Sequence, residues 1–201
     1  TKIKNVSSNV FELTGDTNLR GNNVIIESLQ ILGSNKQNIA INLENLSQCR
    51  YANFNNLLIQ NFNIAIKGSQ DDRFIPIYNC RLHYNEIAIY VIKDHPLIYS
   101  NDIRYNTYGI YGKNLYDAKI ANNTFAYNDY GIYAEASSTA ILIEENHFQT
   151  NSIADITLLY NGPNGGNTII GNQFWAQPGE NIIISHGSNC IINGNKFMNI
   201  H

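Results

Sequence analysis

One methionine, three cysteines and five histidines are all that this 201-residue chain holds of the usual soft-metal ligands, and only 14% of its residues are charged. Each scarcity excludes something. A lone Met and histidines without ligand spacing argue against a metal site, so no metal and no cofactor are expected. Cys49, Cys80 and Cys190 stand far apart and are odd in number, so a complete disulfide framework is excluded and buried free thiols are expected. No apolar run reaches the ~18 residues that cross a bilayer, and no signal-peptide pattern opens the chain. A net charge of −3 gives no electrostatic case for nucleic acid or an anionic membrane. A neutral or cationic partner surface is more compatible with it. Helical periodicity is missing too, since no segment keeps apolar spacing over three turns.

What the chain does have is a phrase. An apolar residue, then Asn, then another apolar residue recur about every 22 residues. The copies run Ile98 to Ile103 with Asn101, Ile120 to Phe125 with Asn123, Ile143 to Phe148 with Asn146, Ile169 to Phe174 with Asn172, and Ile192 to Phe197 with Asn195. Upstream copies hold Cys80, Leu57 and Leu29 in place of the amide. A second Asn file lies five residues on, at Asn85, Asn106, Asn128 and Asn151.

Such a period marks a solenoid, whose repeats bury their apolar faces only by stacking on one another. Alternation over short stretches such as Tyr108-Gly109-Ile110-Tyr111 is strand period, so each unit is a coil of short strands and corners. Parallel crossovers are overwhelmingly right-handed, which predicts an all-β, right-handed parallel β-helix of about eight coils. An Asn at each corner suits a left-handed backbone, and its amide can bond to the Asn above and below. The whole of 1–201 reads as one domain with a 43% apolar composition, ample for a continuous core. Because the chain opens on Thr and shows no amphipathic cap at either end, it reads as a piece of a longer protein or as a chain whose ends are covered in an oligomer.

The Asn ladder, coil length and Asn-x-Phe corner, over roughly residues 22 to 201, resemble the pectate-lyase-like right-handed β-helix superfamily. Polysaccharide lyases, polygalacturonase-type hydrolases, alginate epimerases, bacterial surface proteins and phage tailspikes share that fold. The resemblance implies fold far more than function, because the shared residues build the coil. Ser185-His186-Gly187 and Asp71-Asp72 resemble hydrolase motifs but lie about five coils, roughly 24 Å, apart, so they cannot meet around one bond. Lys93-Asp94-His95-Pro96 holds an epimerase motif's residue types in the wrong order, and no acid cluster resembles a lyase calcium site. Three glycosylation sequons, at Asn5, Asn45 and Asn122, are what chance gives in an Asn-rich chain. Three long departures, Gly68 to Arg73, Lys93 to Pro96 and Leu158 to Asn167, project from the rod where specificity often lies.

Stacking in register turns outward residues into columns. Tyr84, Tyr105 and Tyr127 form one, Tyr90, Tyr111 and Tyr133 another, and a small-residue strip of Ala65, Ala88, Gly109, Gly131 and Ala154 runs between them. If alternation holds, the strip is the floor of a groove whose tyrosines bind sugar; stacking that merely stabilises the sheet and a protein interface are the competing readings. Glu86 and Asp129 share a column two coils, about 9.6 Å, apart, the upper end of the ~6.5–9.5 Å separation of an inverting glycosidase. Asp155, one coil beyond Asp129 by this count, and Glu135 are further catalytic candidates. A solvated surface charge is the competing reading of each.

The expectation is therefore a polysaccharide-recognising domain of an extracellular or virion-surface protein, resembling a phage tailspike or capsule depolymerase and assembling as a homotrimer. It binds a bacterial surface glycan, with cleavage an open extension and a glycosidase favoured over a lyase. The alternatives are a free-standing polysaccharide hydrolase, lyase or epimerase, and a non-catalytic rod or adhesin.

Overall fold

A computed structural model describes residues 2–6, 11–12, 23–34, 36–44, 51–68, 74–93, 95–135, 138–159, 166–185 and 189–198. Cys49, Asp71-Asp72, His186 and most of Gly68 to Arg73 and of Leu158 to Asn167 lie outside the described residues, whereas of the expected departure Lys93 to Pro96 only Asp94 does, and His95 and Pro96 do not project but pair within the strand His95–Tyr99. Every described strand pairs in parallel with the strand one coil away, giving sheets of nine, eight and eight strands. One coil runs from His95–Tyr99 in the third sheet, through a corner, to Asp102–Arg104 in the first, and then to Tyr108–Lys113 in the second. The next coil repeats this with Lys119–Ala121, Thr124–Ala126 and Tyr130–Glu135.

The core consists of apolar columns running along the axis. In the first sheet Ile59, Leu82, Ile103, Phe125, Phe148 and Phe174 lie in register and are fully buried. Phe125, Phe148, Phe174 and Phe197 stack nearly parallel, with centroids 5.1, 5.0 and 5.1 Å apart. Isoleucines fill the matching columns of the other two sheets, where β-branched side chains pack well on a pleated surface. The last described coil is less covered: Ile192 and Phe197, in core register, are 48% and 45% exposed.

Both Asn files are hydrogen-bonded ladders. Asn123 Nδ2 donates to Asn146 Oδ1 at 3.0 Å and to the Ile98 carbonyl at 2.9 Å, while its Oδ1 accepts from the backbone N–H and side-chain amide of Asn101. Asn146, Asn172 and Asn195 continue the file. The second file, Asn85, Asn106, Asn128 and Asn151, repeats the pattern. Each amide thus satisfies backbone groups that a corner would otherwise bury unpaired. The left-handed backbone, however, belongs to the residue before the ladder: Ser100, Asn122, Glu145, Gly171 and Gly194 carry φ of 56, 55, 53, 67 and 62°. The ladder Asn itself is selected for its amide, not for its φ. At Cys80 the amide gives way to a buried thiol, which still offers its N–H to Asn101 Oδ1 and whose pKa burial raises to about 11. Cys190 is only half-buried, short of the buried thiol expected there.

Candidate functional site

The file Tyr84, Tyr105 and Tyr127 occupies the left-handed position before Asn85, Asn106 and Asn128, each with φ of 58°. A bulky aromatic is disfavoured there. The rings stack on one another, 4.9 and 5.2 Å apart and within 5° of parallel, and remain 46, 42 and 41% exposed. Ring faces inside the file therefore cover each other, leaving edges and hydroxyls for solvent. Beside them on the outer face of the first sheet, Asp102 accepts from His83 Nε2 at 3.2 Å and pairs with Arg104 Nε. Burial pushes the Asp102 carboxyl up, but the bonds to His83 and Arg104 outweigh it and hold the pKa below the usual value.

The expected groove floor is not at the surface. Ala65, Ala88, Gly109 and Gly131 are buried and face the core, and a Cβ on Gly131 would come within 2.5 Å of the Asp155 carbonyl oxygen and 3.1 Å of two Phe148 ring carbons. The reason is a bend: in Ile87–Ile92, Tyr108–Lys113 and Tyr130–Glu135 two consecutive residues, such as Gly109 and Ile110, both point inward. Strict alternation fails at that step, so the two tyrosine files are not walls of one strip. The same bend turns outward a file that alternation assigns to the interior, Tyr108 and Tyr130. With Tyr90, Tyr111 and Tyr133 they make a patch of five half-buried tyrosines on the second sheet.

Within this patch Tyr108 and Tyr130 stack at 5.1 Å and 4°, Tyr111 and Tyr133 at 5.4 Å and 21°. Edge contacts join the files, Tyr108 to Tyr111 at 5.2 Å and 89°, Tyr130 to Tyr133 at 5.2 Å and 71°. At Tyr90, Tyr108 and Tyr133 burial first, and then nearby charged and phenolic groups, raise the hydroxyl pKa: Glu135 and Glu44 act on Tyr90, Glu135 on Tyr133, and Glu86 and Asp129 add to neighbouring tyrosines at Tyr108. Tyr111 is raised furthest, by burial and by its hydrogen bond to Glu135. Lys67 pairs with Glu44 and lies 5.9 Å from the Tyr90 ring centroid.

Glu86 and Asp129 do share a corner column, with Thr107 between them: Tyr108 N donates to the Glu86 carbonyl and Tyr130 N to the Thr107 carbonyl. The next member of that column is Ser152, whose hydroxyl donates to Asp129 Oδ1 at 2.8 Å. Asp155 does lie in the coil beyond Asp129, but outside that column. One extra residue at Ser152-Ile153 shifts the count, so that Ala154 pairs with Tyr130 and Asp155 falls opposite Gly131, facing inward at 1% exposure. There its Oδ1 accepts from Asn151 Nδ2 at 2.7 Å and ends the second ladder, while Oδ2 and the buried Thr157 hydroxyl lack partners among the described residues. Burial raises the Asp155 pKa to about 7, with Glu180 adding to the shift. Among the described residues no group of three or more His, Cys, Asp or Glu side chains is placed to hold a metal ion.

No curated protein matches the chain in sequence. A solved structure titled "Geobacillus virus E2 - ORF18", from that virus, superposes with a TM-score of 0.57 at 15% identity, covering 92% of this chain and 42% of its own. The chain thus spans less than half the length of that neighbour, and the likeness is one of fold. The family model described as the right handed beta helix region matches residues 2–197. Nearly the whole chain carries that pattern, and the parallel three-sheet coil is its structural form: the chain belongs to the right-handed β-helix family.

Proposed function

We propose that this chain is the polysaccharide-recognising part of a surface-exposed or virion protein, and that the tyrosine patch of the second sheet is its contact with the glycan. The observation that carries the reading is the patch itself: five neighbouring tyrosines on a rigid sheet, offering aromatic surface and neutral hydroxyls. Sugars present the complementary combination of apolar ring faces and hydroxyl groups. The fold likeness to a protein of a virus is in keeping with the virion setting; assembly as a tailspike-like trimer is part of the same proposal. Tyr84, Tyr105 and Tyr127, presenting hydroxyls along the corner, serve as an outlying contact for the same polymer. Should cleavage accompany binding, Glu86 and Asp129 are the carboxylates for it, since they flank Tyr108 at the patch edge. Asp155 as a third acid would need an opening of the coil.

A glycan array probed with the whole chain and with Tyr111→Ala tests this reading, with circular dichroism to check that the variant keeps its sheet. Binding to a polysaccharide that falls at least tenfold in Tyr111→Ala supports it. Reducing-end release that Glu86→Gln abolishes would add hydrolysis. Silence across the array removes the glycan and leaves a structural rod or an oligomer interface, for which stacked tyrosines serve equally well.

A further inference from the structure

The charges around the patch are uneven, and they restrict what can lie on it. Four carboxylates, from Glu44, Glu86, Asp129 and Glu135, act on its tyrosine hydroxyls. Two lysines stand against them. Lys67 is committed to Glu44, and Lys113 lies in register beside Glu135. Glu86 and Asp129 pair with no cation among the described residues; Asp129 has only the Ser152 hydroxyl. They lie on either side of Tyr108, in the coils before and after it, with Thr107 between them.

We infer that the patch takes a polysaccharide bearing free amines, with one ammonium held between Glu86 and Asp129 against Tyr108, and that it rejects polyuronates. This rests on the glycan reading above and names its substrate class. The corner column places the two backbones about 9.6 Å apart along the axis, so a cation at the level of Thr107 lies roughly 4.8 Å along the axis from each, between the two side chains. The Tyr108 ring stacks on Tyr130 along the axis and so presents its edge and hydroxyl at that level, and the attraction for the ammonium is that of the two carboxylates. A uronate would instead meet unpaired carboxylates at close range, where like charges cost the most. The tyrosine hydroxyls, kept neutral, bond to the sugar hydroxyls without adding to that charge.

The test is titration of the whole chain with three oligosaccharides of one length: glucosamine units with free amines, the same units N-acetylated, and galacturonate. Each is repeated with the shape-preserving double variant Glu86→Gln/Asp129→Asn. The expected result is at least tenfold tighter binding of the free-amine oligomer than of the acetylated one, weakening with salt and lost in the double variant. Equal binding of the two, tighter binding of galacturonate, or a preference that survives the double variant overturns this inference and leaves the glycan reading standing. If none of the three binds while the array is positive for another neutral glycan, the inference alone falls. If the array is silent as well, both fall.

Discussion

Asp155 is where a single side chain governs how the molecule responds to pH. Its carboxyl closes the second Asn ladder from inside the coil, with one oxygen bonded and one without a partner among the described residues. The folded pKa of about 7 lies above the ordinary 3.8, so the folded state holds the proton more tightly than the unfolded chain. Stability from this group is complete below about pH 4, falls as pH rises towards 7, and is level beyond. Asp155→Asn keeps the acceptor for Asn151 and removes the titration. Chemical denaturation of both proteins from pH 4.5 to 8 should show the variant gaining on wild type as pH rises, by up to the order of 4 kcal/mol. A constant gap would mean that the carboxyl is solvated. Sequence alone could not place this residue, because one inserted position at Ser152-Ile153 shifts every later count in that coil and nothing local marks it.

At the scale of the strand, the bend between consecutive inward residues explains both what was legible and what was not. The Asn files were visible because a fixed period survives any local geometry, and Asn101 to Asn195 sit where the phrase puts them. The tyrosine patch was only half visible: Tyr90, Tyr111 and Tyr133 were found by column, but Tyr108 and Tyr130 have the opposite parity and needed the bend. The same bend drives Gly109 and Gly131 against the phenylalanine stack and against the backbone carbonyls of Gly131 and Asp155 in the next coil. Gly131→Ala should therefore destabilise the fold by about 1–3 kcal/mol through overpacking, read as a lowered denaturation midpoint. Combining it with Phe148→Leu should recover only the share of that loss that comes from the ring, because the contact of the added methyl with the Asp155 carbonyl oxygen remains.

For the whole molecule, coil-on-coil stacking makes stability close to a sum of neighbouring contacts, so a weak coil is felt locally. Stacked tyrosines mark three surfaces among the described residues: the patch on the second sheet, the Tyr84, Tyr105 and Tyr127 file at the corner between the first and second, and the Tyr78–Tyr99 pair on the third. Light scattering on the whole chain is expected to give three times the monomer mass, in keeping with a tailspike-like assembly. A monomer mass would leave the patch open on an isolated rod and remove the trimer from the proposal. Were Tyr111→Ala to break a trimer and not glycan binding, the patch would be an interface between copies.

The ladders also give the rod an electrical polarity. In both files each side-chain oxygen faces the preceding coil and each N–H the following one, so every amide dipole points the same way and polarises the next. The positive end of each row is directed towards the C-terminal coils, much as aligned peptide units give a helix its positive N-terminus. Asn151 is that end for the second row, and the group that meets it is the carboxyl of Asp155. Lengthening a ladder by one coil therefore strengthens the field at its terminus, and an acid inside the wall at that point is the charge that such a field favours.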